Sequence, residues 1–226
     1  MLLFGYDPGG VGSNGVAIAD FRLPQRPTVL TFTSDSVDEG LEWFRANVGE
    51  STPQAIGIDS YLSWATGLSG WRPMDASLRS QFPAVQHSVF SSNSASGSMA
   101  VQGMAMAMRV REIWPEIRLN ETHPKVQYFA LSGNRYSYGQ KMIEWLCGQF
   151  DPAVDAAITN DHEWDAVISA WATWMGLTGQ WTTDLMVGAG DLLLPSGEVT
   201  YYWPSLPGMP HQSQDSAGRT SAAKEG

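Results

Sequence analysis

Apolar residues open the chain in short runs. Residues 2–6 and 16–21 are each apolar, and 28–33 (Thr-Val-Leu-Thr-Phe-Thr) alternate with β-branched character, which predicts three successive strands. The segment between the first two, Asp7-Pro8-Gly9-Gly10-Val11-Gly12-Ser13-Asn14-Gly15, has the Gly and Pro density of a tight turn. The period then changes. Leu41, Phe44 and Val48 recur at helical spacing, predicting an amphipathic helix over 38–48. Residues 55–58 are wholly apolar and run into Asp59, the pattern of a central strand buried on both faces.

Residues 60–98 are rich in Ser, Gly and Pro, with Trp64, Trp71, Arg72, Asp75 and Arg79 embedded. They read as a long functional insert loop with a short helix near 74–81. A Met- and Ala-rich helix over 98–114 is stopped by Pro115. A strand over 117–122 and short helices over 125–131 and 140–149 follow. The strongest helix starts at 159–161, where Thr159 or Asn160 can cap it, and its apolar stripe is Trp164, Val167, Ile168, Trp171 and Met175. Residues 185–203 read as a terminal β-hairpin turning at Pro195-Ser196-Gly197. Residues 205–226 lack a core-forming pattern and read as a disordered tail. The expected organisation is one domain over 1–204 followed by that tail.

The chain of 226 residues is long enough to bury a substantial core, and 43% hydrophobic residues is a globular composition. Thirteen Lys and Arg against 23 Asp and Glu give a net charge of −10, which argues against a broad phosphate-gripping surface. No apolar run is long enough to span a membrane, and the N-terminus has no basic leader region. The single cysteine, Cys147, excludes an internal disulfide and a cysteine-built zinc site. These features fit a cytoplasmic protein with no membrane partner.

Acidic residues fall at the ends of core elements: Asp7 after the first strand, Asp59 after the fourth, Glu121 after a later one. Asp161 and Asp165 lie one turn apart on the last helix. Carboxylates gathered at one end of a sheet repel unless a cation neutralises them, and hard oxygen ligands select Mg²⁺ or Mn²⁺. Two such ions ~4 Å apart clamp the attacking and leaving oxygens of a phosphodiester. Bland readings stand beside these: Asp7 can start a turn, Asp161 can be a helix N-terminal charge, and Glu121 can pair with Arg109 or Arg118. Gly9-Gly10-x-Gly12 is followed by a strand, so it is a hairpin and not a dinucleotide cradle. Six of the 13 basic residues lie between Arg109 and Lys141, a local surplus over Glu112, Glu116 and Glu121. Arg72, Arg109, Arg111, Lys125 and Lys141 are the candidate nucleic-acid contacts.

Four sequence pieces, "GYDPG" at 5–9, "IGIDSYLSW" at 56–64 with "RPMDASLR" at 72–79, "ETHPKVQYFALSG" at 121–133 and "NDHEWDAVISAWATW" at 160–174, occur in order over about residues 1–180. Together they resemble the RNase H-like superfamily and, within it, the predicted nucleases catalogued as domain of unknown function 429. The resemblance implies an α/β fold with a mixed central sheet, its first three strands antiparallel and later ones parallel, flanked by helices. It implies that Asp7, Asp59 and Asp165 match the metal-binding carboxylates, with Asp161 as a further ligand, and that Glu121 matches the acid of a Glu-x-His-Pro motif. The Asp161-His162-x-x-Asp165 helix is similar to that of the Holliday-junction-resolvase branch. The activity so implied is metal-dependent hydrolysis of DNA or RNA, with Asp7, Asp59, Glu121 and Asp165 as catalytic residues. Two other readings stand beside it. One is a non-catalytic module that binds nucleic acid or protein; the other is an actin-like phosphotransferase, which generally needs two such lobes.

Overall fold

The computed structural model describes residues 1–94 and 97–205. Residues 206–226, nearly all of the expected tail, lie outside the described residues. Strands β1 (Leu2–Asp7), β2 (Asn14–Asp20) and β3 (Thr28–Ser34) form an antiparallel meander. Helix α1 (Val37–Val48) is capped by Ser36, whose side chain accepts from the Glu39 N–H. Strand β4 (Ala55–Ile58) then returns parallel to β1. The 60–98 segment contains β5 (Trp64–Ala65), α2 (Pro73–Gln81) and short 3₁₀ turns. After it come α3 (Gly97–Ile113), β6 (Arg118–Glu121), α4 (Pro124–Ser132), α5 (Gln140–Cys147) and α6 (Asp161–Leu177). Four two-residue strands close the described chain: β7 (Thr183–Asp184), β8 (Leu192–Leu193), β9 (Val199–Thr200) and β10 (Tyr202–Trp203). The main sheet has the order β3-β2-β1-β4-β6-β9, antiparallel through β3, β2 and β1 and parallel from β1 to β9. This is the mixed sheet, antiparallel through its first three strands and then parallel, that the sequence predicts.

The pleat divides the core into two. On β1 and β4, Leu2, Phe4, Tyr6, Ile56 and Ile58 face α1 and α3, where they pack with Leu41, Phe44, Met106 and Val110. Leu3 and Ala55 face the other way, against α6 and its Trp164, Val167 and Ile168. Trp164, Trp171 and Trp181 are buried in this second core, in line with the helical spacing of the first two. A third cluster, with Met74, Leu78, Val89, Val126, Tyr201 and Trp203, packs α2 and its following loop onto α4 and the C-terminal strands.

The terminal hairpin expected over 185–203 does not form. β7 pairs with β10, β8 pairs with β5, and β9 joins the edge of the main sheet beside β6. Arg111 on α3 explains the diversion. Its guanidinium donates to the carbonyls of Ser196 and Glu198, tying the turn to α3. The chain is thereby delivered to the open edge of β6, where Val199 is buried opposite Leu119. An unpaired sheet edge with an apolar neighbour outcompetes a short local hairpin.

Candidate metal centre

The pleat decides which carboxylates meet. Gly5 and Gly57 are register partners on β1 and β4 and share the α6 face. Two residues further along, Asp7 and Asp59 keep that face. Helix α6 lies directly on these glycines. A Cβ at Gly5 would run into the carbonyl of Ala166, one at Gly57 into that of Ser169, and one at Gly15 on β2 into that of His162. The close approach brings Asp165 down onto the strand ends. Asp7, Asp59 and Asp165 each offer a carboxylate oxygen, and these oxygens all lie within 4.8 Å of one another.

Both partners of this arrangement are fixed locally. The side chain of Asn14 accepts from the Tyr6 hydroxyl (2.7 Å) and the Gly9 N–H (3.2 Å), and donates to the carbonyls of Gly10 and Ser34. The turn after Asp7 therefore has one conformation, and Gln102 on α3 holds it from outside by donating to the Gly9 carbonyl. At the start of α6, Asn160 caps the helix by accepting from the Glu163 N–H. Glu163 in turn accepts from the Thr159 N–H and from the hydroxyls of Thr31 and Thr33 on β3. This buried junction sets the height and rotation of α6. The sequence reading attributed no role to Asn14 or Glu163. The reciprocal Asn160–Glu163 spacing is the signal that marks the latter.

Electrostatics in this corner are unfavourable for bare carboxylates. Burial, followed by the charges of Asp59 and Asp161, raises the Asp7 carboxyl well above its ordinary range. Burial and the charges of Asp7 and Asp59 do the same for Asp165, while the Tyr136 hydroxyl and Lys125 pull it the other way. Burial and Glu121 push Asp59 up to about 7, against the downward pull of Lys125. The Oδ1 atom of Asp165 is buried and accepts no hydrogen bond. His162 places Nδ1 2.7 Å from Asp7 Oδ2. Lys125 faces the group, and although partial desolvation acts downward, the charges of Asp165, Asp59 and Asp7 hold its ammonium above its ordinary value. Its Nζ also sits 5.3 Å over the Tyr136 ring.

Other expected site residues lie elsewhere. Glu121 pairs in register with Ile58, one residue short of Asp59, so the pleat turns it to the opposite face. There it meets neither Arg109 nor Arg118 but Arg72, whose guanidinium reaches Oε1 at 2.5 Å and Oε2 at 2.8 Å. The Leu62 N–H also donates to Glu121. Burial raises the Glu121 carboxyl, and Arg72 limits the rise. Arg72 is itself fully buried, donating to Asp75 and Ser63 as well, so it is not a nucleic-acid contact. Arg111 holds the 196–198 turn, and Arg109 is exposed and pairs with Asp38 at 2.7 Å on the surface. Lys141 is exposed. Asp161 is partly buried, outside the group of three, and its charge adds to the field on Asp7.

The group fits a divalent cation. Three carboxylates converge at the strand ends, their mutual repulsion and burial disfavour ionisation, and a buried acceptor has no partner. No protein-family model matches the chain, and no curated protein matches it. Among solved structures, a Thermus thermophilus RuvC structure is similar at 13% identity and a TM-score of 0.44, covering 79% of this chain and 97% of that one. Among the described residues, no helix is long and apolar enough to cross a membrane.

Proposed function

We propose that this chain is a divalent-metal-dependent nuclease, of the kind the resemblance to domain of unknown function 429 implies, which hydrolyses phosphodiester bonds in DNA or RNA in the cytoplasm. The observation that carries the reading is the convergence of Asp7, Asp59 and Asp165 within 4.8 Å around a buried, unpartnered Asp165 Oδ1. These three residues would hold Mg²⁺ or Mn²⁺, with Asp161 adding negative charge beside them. A divalent ion there supplies Lewis acidity to the phosphoryl group and acidity to water. The protein's own part is orientation. His162 engages Asp7 Oδ2 and so fixes which carboxylate oxygen is left toward the group. Lys125 offers a cation to an approaching phosphate. With Arg72 buried, Arg111 holding the 196–198 turn and Arg109 neutralised by Asp38 at the surface, the substrate is gripped over a short stretch near Lys125.

The test combines calorimetric titration of Mn²⁺ and Mg²⁺ with cleavage of labelled single-stranded, duplex and branched oligonucleotides. The parent should bind the ion and cleave only in its presence, and Asp165→Asn should lose both. A parent that binds no ion at millimolar concentration, or cleaves equally in chelator, overturns the reading.

A further inference from the structure

Beside the carboxylate group the protein encloses a cavity of about 310 Å³. Asp59 and Lys125 border it, so it shares two charged walls with the proposed metal centre. Tyr61, Phe90 and Met99 give it apolar surface, and Ser60 and His87 give it polar atoms. The wall formed by residues 86–90 is fastened from three directions. Arg79 Nη1 donates to the carbonyls of Gln86 (2.8 Å) and Val89 (2.9 Å). His123 Nε2 donates to the Ser88 carbonyl at 2.8 Å; burial pushes that imidazole down to about 4, so it is neutral near pH 7 and protonated on the nitrogen facing the carbonyl. The Tyr61 hydroxyl accepts from the Phe90 N–H (3.0 Å) and donates to the Phe90 carbonyl (2.9 Å).

Phe90 is thus held by both backbone groups while 53% of it stays in solvent at the cavity wall. A rigidly mounted aromatic ring left in water is a preformed stacking surface. The volume lies at the small end of ligand sites, which run from ~300 to 1,000 Å³, and suits a single heterocycle. Hydrogen-bonding groups at Ser60 and His87 suit a heterocycle with donors and acceptors on its edge. Lys125, between the cavity and the carboxylates, suits a phosphate attached to it. We propose that the cavity takes one unstacked nucleobase of the strand being cleaved, with Phe90 as its stacking partner. A base inside a duplex cannot reach such a cavity, so the preferred substrate carries an unpaired base next to the scissile phosphate. This rests on the nuclease reading above.

The experiment has a binding arm and a cleavage arm, each run on the parent and on Phe90→Ala. Phe90 is exposed, so the variant should keep the parent's melting temperature. In the binding arm, a single-stranded oligonucleotide carrying 2-aminopurine is titrated in chelator, and stacking on Phe90 quenches its fluorescence. In the cleavage arm, Mn²⁺ is added to oligonucleotides in which each base in turn is replaced by an abasic site. The parent should show the quench and lose about tenfold or more in rate when the abasic site occupies one fixed position relative to the cut. Phe90→Ala should lose the quench, cleave the intact strand about tenfold more slowly, and no longer sense the abasic position. Cleavage by the parent with no Phe90-dependent signal overturns the base site and leaves the nuclease standing. A Phe90-dependent quench with no cleavage keeps the base site and overturns the nuclease. Neither signal overturns both.

Discussion

Replacing Asp59 by Asn keeps the shape of the side chain and removes one of three crowded charges. An Asp carboxyl carried from 3.8 to about 7 holds its proton longer in the folded chain than in the unfolded one. Between those two values the folded state binds more protons, so stability falls as pH rises, and the loss is complete above about pH 7. At roughly 1.4 kcal/mol per pH unit the full loss would be about 4 kcal/mol. Asp59 is partly exposed, and solvent screening brings this to about 2 kcal/mol. Removing its charge also relieves Asp7 and Asp165, on both of which it acts. In chelator at pH 8, Asp59→Asn should therefore be more stable than the parent by about 2 kcal/mol. For a chain of this size that is roughly 4–8 °C in Tm. At pH 4.5 most of that difference should disappear, because the parent's carboxyl is then protonated. Saturating Mn²⁺ should reverse the order at pH 8, since ion binding to the folded state stabilises the parent more. Thermal and urea unfolding at pH 4.5, 6 and 8, with chelator and with Mn²⁺, give all three readings. A variant less stable than the parent at pH 8 in chelator would refute the reasoning, because Asp59 would then be a structural carboxylate and not a repelled ligand.

Gly5→Ala should destabilise the chain by about 3 kcal/mol or more in urea unfolding, because its methyl group meets the α6 backbone at Ala166. Gly10→Ala, whose methyl group would meet nothing within 4 Å, is the neutral control. Glu121→Gln should change Mn²⁺ affinity far less than Asp59→Asn in calorimetry while lowering stability, since Glu121 partners Arg72 on the opposite face of the sheet and acts on Asp59 only through its charge. Arg72→Met should cost about 3–5 kcal/mol in urea unfolding at pH 8 by stranding two buried carboxylates. In oligonucleotide binding, Lys125→Ala should flatten the dependence of log affinity on log salt by roughly one unit for each phosphate that Lys125 neutralises. Arg109→Ala should leave that slope unchanged, because Arg109 is paired with Asp38.

Much of the arrangement was legible because it follows from the period of two along a strand. Two apolar runs, 2–6 and 55–58, each ending in Asp, place both carboxylates at the same end of parallel neighbours once the strands align Gly5 with Gly57. Asp165 was legible from its position a full turn inside a helix whose buried positions are mostly apolar. Glu121 was not, because its strand is paired one residue short of Asp59, and register with a non-sequential neighbour leaves no mark on the local pattern. The partner of Glu121 was hidden for a similar reason. Arg72 lies 49 positions away in a segment whose polar composition reads as a solvated loop, yet it becomes a fully buried cation. The terminal strands misled because a local turn signal at 195–197 is real, with Gly197 at φ 83°, while the partner of the strand after it is set by Arg111 and the free edge of β6.

Net charge and nuclease chemistry are reconciled by where the charges sit. The excess of acids argued against a broad phosphate-binding surface, and the structure goes further, since of the five expected basic contacts Arg72 is buried, Arg111 holds the 196–198 turn, and Arg109 is paired with Asp38 on the surface. At the candidate site, however, the balance that matters is local. Asp7, Asp59, Asp165 and Asp161 carry four negative charges when ionised, and Lys125 returns one. A phosphodiester arriving there brings one more negative charge. The four that are then uncompensated equal the charge of two divalent ions; without the phosphodiester the same group leaves three. An acidic corner of this kind weakens nucleic-acid binding until ions enter it and strengthens it once they do. Metal occupancy therefore supplies substrate attraction as well as chemistry, which a basic surface would supply in other nucleic-acid-binding proteins.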